Sequence, residues 1–257
     1  MMELTSRPTP VRIGIVGIAG RMGRELVALA TSDSAVTITG GTVRAASGMP
    51  FDGIPVFTDL TGLLPEVDVL IDFSTPESSV ATARQAADAG IPVVIGTTGL
   101  TPEQLDVLHE ASSRIPVYYA RNTAHGVNAL QQVLPIIARA LSGYDIEIVE
   151  MHHRHKKDAP SGTALALAEA ITAGLEANDP QHIYGREGYA PRQTGEIGFH
   201  SIRGGGNTGE HTIIFASDQE EIRISHRALS RGAFAAGAIR AAIDLVGKSP
   251  GWYGPQG

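Results

Sequence analysis

The chain contains no cysteine. That excludes a disulfide framework, a cysteine-ligated zinc or iron–sulfur centre, and a thiol nucleophile. Long apolar runs are also missing: no stretch reaches the roughly 18 to 20 residues needed to cross a bilayer. Residues 1–10 are polar, carry two prolines, and lack the apolar core of a signal peptide, so a cytoplasmic protein is expected. Positive charge is in deficit, with a net charge of −7, which argues against a protein whose main task is to hold nucleic acid. What remains is histidine, lysine, carboxylate and hydroxyl chemistry, or the chemistry of a bound cofactor. The 257 residues have room for one large domain or two modest ones, and 42% hydrophobic with 18% charged residues is ordinary for a globular chain. The less expected features are 30 glycines and nine unevenly spread histidines.

Val11–Val16 (VRIGIV) is a short β-branched run ending in Gly17, followed by a helical pattern from Gly20 and a second strand at Val36–Val43. Strand, glycine turn, helix and strand make a βαβ unit. The alternation continues with strands at 67–73, 92–95 and 115–119, and helices at 76–89 and 101–112. Nearly continuous apolar strands indicate a parallel sheet covered on both faces, so the first part reads as a doubly wound α/β domain. After Asn122 the pattern changes. A long helix at 127–141, with Pro135 expected to kink it, precedes a half-buried strand at 144–152 and a helix at 161–177. Strand-like segments follow at 197–203, 211–217 and 221–226, with loop expected before them. This is the mark of an α+β domain with an open mixed or antiparallel sheet. An Ala-rich helix at 230–246 could pack back onto the first domain. The expected division is 1–123, completed by about 231–257, and 124–230.

Gly17-Ile18-Ala19-Gly20-Arg21-Met22-Gly23 lies between a strand and a helix. Glycines there allow positive φ and close approach of backbone to a pyrophosphate, and the helix start supplies free N–H groups. Arg21 can add charge. At the end of the second strand an acid would favour NAD; this sequence has Val43 and Arg44, so NADP acceptance is favoured. Asp72 to Pro76, Gly96-Thr97-Thr98-Gly99 and Ala120-Arg121-Asn122-Thr123 end later strands, where ligands of such sheets bind, and outline a nicotinamide crevice.

Glu150 to Thr163 (EMHHRHKKDAPSGT) places three histidines, one arginine and two lysines within six residues. A metal site lacks acids spaced to complete a shell, and neighbouring cations would repel the ion. A nucleic-acid patch lacks interleaved aromatics. A solvated basic loop and a small-polyanion site remain, the latter with His and Lys available for proton transfer. Ser161-Gly162-Thr163 opens a helix, a ready carboxylate cradle, and shifts the weight to the polyanion site. A serine hydrolase is disfavoured, because no G-x-S-x-G elbow is present.

These motifs resemble the 4-hydroxy-tetrahydrodipicolinate reductase (dihydrodipicolinate reductase) family over almost the whole chain. The resemblance rests on GxxGRMG at 17–23, DFSTPE at 72–77, GTTG at 96–99, GVN at 126–128, E-x-HHRHK-x-DAPSGTA at 150–164 and GFHSIR…GEHT at 198–212. It implies a Rossmann-like domain closed by the terminal helix, and a second domain whose sheet builds a homotetramer. It further implies NADH or NADPH as cofactor, no metal, and a small cyclic dicarboxylate substrate in lysine and diaminopimelate biosynthesis. By the same resemblance His152 and Lys156 are the proton-transfer groups, and His153, Ser161, Gly162 and Thr163 bind substrate. Gly17 to Met22, Arg44, Gly96 to Thr98 and Ala120 to Thr123 line the cofactor. Val43, Arg121 and Thr123 depart from the family pattern, and the loop between Arg44 and Asp59 is short for it. Two domains around a ligand imply closure. His125 falls at the expected domain junction, as a hinge or cleft residue or a surface histidine.

Overall fold

The computed structural model describes residues 9–44, 51, 53–175 and 180–255. The N-terminal eight residues and most of the short loop after Arg44, on which two of the sequence expectations fall, lie outside them. In chain order the elements are β1 (Val11–Val16), α1 (Arg21–Ala30), β2 (Val36–Thr42), β3 (Val56–Phe57), β4 (Val69–Asp72), α2 (Pro76–Ala89), β5 (Val93–Ile95), α3 (Pro102–Ser112) and β6 (Pro116–Tyr119). They continue with α4 (His125–Ala140), β7 (Asp145–His152), α5 (Gly162–Thr172), β8 (Gln181–Tyr184), β9 (Glu196–Arg203), β10 (Glu210–Ala216), β11 (Glu221–Arg227), α6 (Gly232–Leu245) and β12 (Gly251–Tyr253). The chain divides into two compact units, one running to Ala120 and resuming over Phe234–Pro255, the other Arg121–Ala233.

The first unit holds a seven-stranded sheet in the order β12-β6-β5-β4-β1-β2-β3, every pair parallel. Successive strand residues serve opposite faces. Ile13, Ile15, Val69, Ile71 and Val94 join one core cluster with Leu26 of α1 and Ala238 of α6. Val16, Leu70, Val93 and Ile95 join another with Ala83 of α2 and Leu108 of α3. Both faces are covered, which is why these strands read as unbroken apolar runs. The helix starts follow their sequence signals: Thr75 and Thr101 accept from Ser78 and Gln104 amides, with proline at the first helical position of each. Pairing of β12 with β6 was not expected, since three residues carry no periodicity.

The second unit has a five-stranded mixed sheet in the order β11-β10-β7-β9-β8. β7 runs parallel to β9 and antiparallel to β10. One sheet face packs on α4 and α5, with Ile146, Ile148, Ile197, Phe199, Ile213 and Phe215 against Leu134, Leu167 and Ile171. Helix α4 runs through Pro135 as one element. Helix α5 is shorter than its sequence pattern, stopping at Thr172 with Ala173 as C-cap and Gly174 next; the pattern's last residues, 176 and 177, are not among those described. β8 stands where loop was expected, a four-residue edge strand with no buried position.

Gly23 shows how tightly α1 sits on its turn. A Cβ there would stand 2.2 Å from the carbonyl oxygen of Ile18, a backbone atom that cannot swing aside. Gly23→Ala is expected to cost about 1–3 kcal/mol by overpacking. A lower urea midpoint with unchanged m-value is the measurement that checks it.

Candidate active site

In the first unit the glycine turn is built by the strands beneath it. The amides of Gly17 and Ile18 both donate to the Thr42 carbonyl at 3.1 Å, and Gly17 turns the chain at φ +81°. Gly20 caps α1 without any side-chain hydrogen bond, so no side chain occupies the first-turn amides. An exposed, uncapped helix start of this kind suits a phosphate group. The turn lines a cleft of about 380 Å³ that includes Gly17, Ala19, Gly20 and Arg44. Larger open clefts, about 630 and 780 Å³, lie along the outer side of α1 and at the N-terminal ends of the strands. Neither has a glycine turn at a helix start, so the smaller cleft is the one with the chemistry.

Not every residue expected to line a cofactor faces that cleft. The Ile18 side chain is fully buried in the core and its amide is taken by the Thr42 carbonyl. Thr97 is buried, accepts from Ser79 at 2.8 Å and donates to Asp72 Oδ1 at 3.4 Å. Asp72 Oδ1 also accepts from the Ser74 amide and hydroxyl, at 2.7 and 2.5 Å. Burial pushes the Asp72 carboxyl above its ordinary range in spite of these bonds. Thr97 therefore ties the ends of β4 and β5 together, while Thr98 is exposed. Phe73, Ser74 and Thr75 of the expected rim line the cleft, and so do Thr58 and Ser78, which were not anticipated.

In the second unit, strand register gathers the polar residues. Along β7 the side chains of Ile146, Ile148, Glu150 and His152 share the covered face, and only the last two are polar. Glu150 is opposite His211 on β10, which is opposite His226 on β11, while His152 is opposite Arg203 on β9. The core face thus becomes a polar site at one end, where α5 begins. Glu150, 1% exposed, accepts from His152 Nδ1 at 2.5 Å, from both Arg203 terminal nitrogens at 2.8 and 2.6 Å, and from the Ser161 amide at 3.2 Å. Burial alone would raise this carboxyl, but the bonds from His152, Arg203 and Ser201 outweigh it and hold it well below the usual range. Ser161 is the α5 N-cap, accepting from the Ala164 amide, and its hydroxyl also meets His211 Nε2 at 2.9 Å.

Lys156 is half-buried and its ammonium reaches Asp158 at 2.8 Å. Burial would raise the Asp158 carboxyl, yet the Lys156 contact holds it below its ordinary range. Asn122 donates to the Thr163 hydroxyl at 3.0 Å, and Arg121 pairs with Glu169 of α5 at 2.7 Å. Two residues expected to serve the cofactor thus brace the helix expected to hold substrate. His125 is the exposed first residue of α4. Glu150, His152 and His211 also bring ligand atoms within 4.8 Å of one another. The sequence reading saw no acid spaced for a metal shell; Glu150, two residues before His152 on one strand face, is such an acid. Both its oxygens are engaged by Arg203, so a cation would have to displace the guanidinium.

The parallel sheet with its open glycine turn and the His–Lys cluster at a helix start define an NAD(P)H-dependent oxidoreductase of the Rossmann type. Models of the N-terminus and C-terminus of dihydrodipicolinate reductase match residues 11–123 and 126–256. The chain belongs to the dihydrodipicolinate reductase family. It is 46% identical over 248 residues to the 4-hydroxy-tetrahydrodipicolinate reductase of Granulibacter bethesdensis, covering 95% of this chain and 94% of that one. It is 43% identical over 259 residues to that of Rubrobacter xylanophilus, covering 96% and 97%. Among solved structures, the dipicolinate-bound dihydrodipicolinate reductase from Paenisporosarcina sp. TG-14 matches with a TM-score of 0.77 at 26% identity, over 95% of this chain and 97% of that one. Aspartate dehydrogenase from Thermotoga maritima, at 11% identity and a TM-score of 0.56, shares the fold.

His211 makes the second unit acid-sensitive. Burial, aided by the nearby His152, His226 and Lys156 and opposed by Glu150, pushes its imidazole from 6.5 down to about 3. The unfolded chain binds a proton near pH 6.5 that the folded chain refuses until about pH 3. Stability is therefore whole above that window and falls as pH drops through it, by up to about 1.4 kcal/mol per pH unit. Denaturation midpoints at about pH 7 and about pH 5.5 should drop more for the wild type than for His211→Gln. The raised Asp72 is common to both proteins and cancels in that comparison.

Proposed function

We propose that this chain reduces 4-hydroxy-tetrahydrodipicolinate to tetrahydrodipicolinate, with loss of water, in lysine and diaminopimelate biosynthesis. The observation that carries the reading is the convergence of His152, Lys156 and the Ser161-capped start of α5 at one end of the second sheet, in a chain of this family. A bound NADH or NADPH supplies the hydride. The uncapped first-turn amides of α1, at Arg21 and Met22 beyond the Gly17–Gly20 turn, would hold its pyrophosphate, and Gly96 to Thr98 with Ala120 form the rim at the ends of β5 and β6. Arg44, exposed on the cleft wall after β2, accommodates a 2′-phosphate, and no acid at Val43 repels it, so NADPH is accepted as well as NADH.

The substrate's carboxylate is held by the first-turn amides at Gly162 and Thr163, with the Thr163 hydroxyl steadied by Asn122. His153 adds a cationic or hydrogen-bonding contact. Once the 4-hydroxyl and a ring hydrogen have left as water, hydride addition to the unsaturated ring would place negative charge on it, and the Lys156 ammonium would deliver the proton that quenches it, with His152 assisting. Asp158 holds that ammonium in place until substrate arrives.

The division of labour we assign is nucleotide binding to 1–123 with 231–257, and substrate binding and assembly to 124–230. Assembly as a homotetramer is supported by the second sheet's other face, which among the described residues has no part in the core cluster that α4 and α5 join on the covered face, and on which Ile202 is 47% exposed. No helix among the described residues is long and apolar enough to cross a membrane, and a cytoplasmic enzyme fits that. Light scattering coupled to size exclusion reads the assembly directly.

The test of activity couples the chain to the preceding synthase with aspartate semialdehyde and pyruvate, and follows oxidation of NADH and NADPH. Cofactor oxidation above the synthase-only control is expected; its absence with both nucleotides would overturn the assignment. Lys156→Ala should lower kcat by about 10²- to 10⁴-fold, the range for a removed acid–base group. Full kcat in that variant would mean that another group gives the proton.

A further inference from the structure

The histidine of the reaction has one ring nitrogen already committed. Nδ1 of His152 lies 2.5 Å from Glu150 Oε2, inside a carboxylate that is itself fully ligated. An ionised carboxylate only accepts, so Nδ1 carries the proton and Nε2 alone is left for chemistry. The Nε2 edge faces Gly209, where a Cβ would come within 3.0 Å of it, and Gly209 sits at φ +153°. Glycine there leaves the reactive nitrogen uncovered.

We propose that Glu150 and Arg203 together are positioning residues for His152: Glu150 sets the tautomer and ring orientation, and Arg203 offsets the carboxylate's charge so that the imidazole can still give up its proton. The proposal rests on the role given to His152 above. A carboxylate alone beside an imidazole stabilises the protonated ring and makes it a reluctant donor. Arg203 changes that balance by gripping both Glu150 oxygens, and its own place is fixed by a further bond to the Asp158 carbonyl at 2.7 Å. Glu150 and Arg203 sum to zero charge, so the pair orients the ring more than it charges it. The other titratable groups around the ring are His211 on β10, whose centroid is 5.2 Å away, His226 beyond it on β11, and Lys156 and Asp158 on the loop after β7. His211 is neutral at working pH and adds no charge.

The two partners can be told apart from scaffolding because their removal pulls in opposite directions. In Glu150→Gln the guanidinium is left unopposed near the ring, and in Arg203→Met the carboxylate is. The alkaline limb of the kcat profile should move down by about one pH unit in the first and up by about one in the second. In Glu150→Gln kcat should also fall, on the order of tenfold or more, with KM little changed, because the ring is no longer held in one tautomer.

Histidine ring ¹⁵N resonances of the ligand-free protein, with His152→Gln to assign them, follow the same ring without any turnover. Wild type should show Nδ1 protonated in the neutral state, and Glu150→Gln a mixture of tautomers. Movement of the His152 titration in opposite directions in the two variants supports the proposal, even if the proposed substrate is not turned over. Identical tautomer and titration in wild type and a folded Glu150→Gln overturn it, as do shifts of the same sign in both variants. Should Glu150→Gln fail to fold, Arg203→Met decides, since an unmoved or lowered His152 titration there is equally fatal.

Discussion

One buried carboxylate organises the second unit of this protein. Glu150 has almost no exposure, and burying its charge costs several kcal/mol unless hydrogen bonds and opposite charge repay it. The repayment comes from three elements at once: Arg203 from β9, His152 from its own strand, and the Ser161 amide at the start of α5. Because those partners cannot be satisfied by water, the strand order, the register and the helix start are all committed together. Ser161 extends the network by capping α5 and meeting His211. The start of α5 and the His152 ring therefore share one foundation.

The first unit repeats the device in a milder form. Asp72 ends a central strand, is buried, and collects Ser74 and Thr97 around one oxygen. Among the described residues no cation neutralises it, and burial pushes its carboxyl up rather than down. The contrast follows from the partners: hydroxyls and one amide steady a carboxyl, whereas a guanidinium and an imidazole hold it ionised. In both units a polar cluster caps the end of an apolar sheet, which is where a ligand can reach backbone amides without disturbing the core.

Much of this was legible in the chain itself. Nearly continuous apolar runs at 11–16 and 67–73 announced a sheet covered on both faces, and Thr75-Pro76 and Thr101-Pro102 marked helix starts that form as written. Glycines at 17, 20 and 23 marked the turn before α1, and the His–Lys–Ser–Gly–Thr stretch marked the polar cluster at the start of α5. Short elements escaped, because β3, β8 and β12 have two to four residues and too few positions for any period to register. Side-chain direction escaped too. Ile18 and Thr97 lie in the right motifs, yet one side chain faces the core and the other a buried aspartate.

Local sequence by itself determined which residue types were available and where backbone could turn: a cysteine-free, acidic chain with proton-transfer groups concentrated in one cationic loop. Only the tertiary structure decided the partners. Arg203 is 53 residues from Glu150, and His211 is 50 residues from Ser161. No local pattern couples positions so far apart; the coupling arises when β7, β9 and β10 align in register and place them on one face. What each histidine can do is set there, by which carboxylate, hydroxyl or guanidinium the fold brings to its ring.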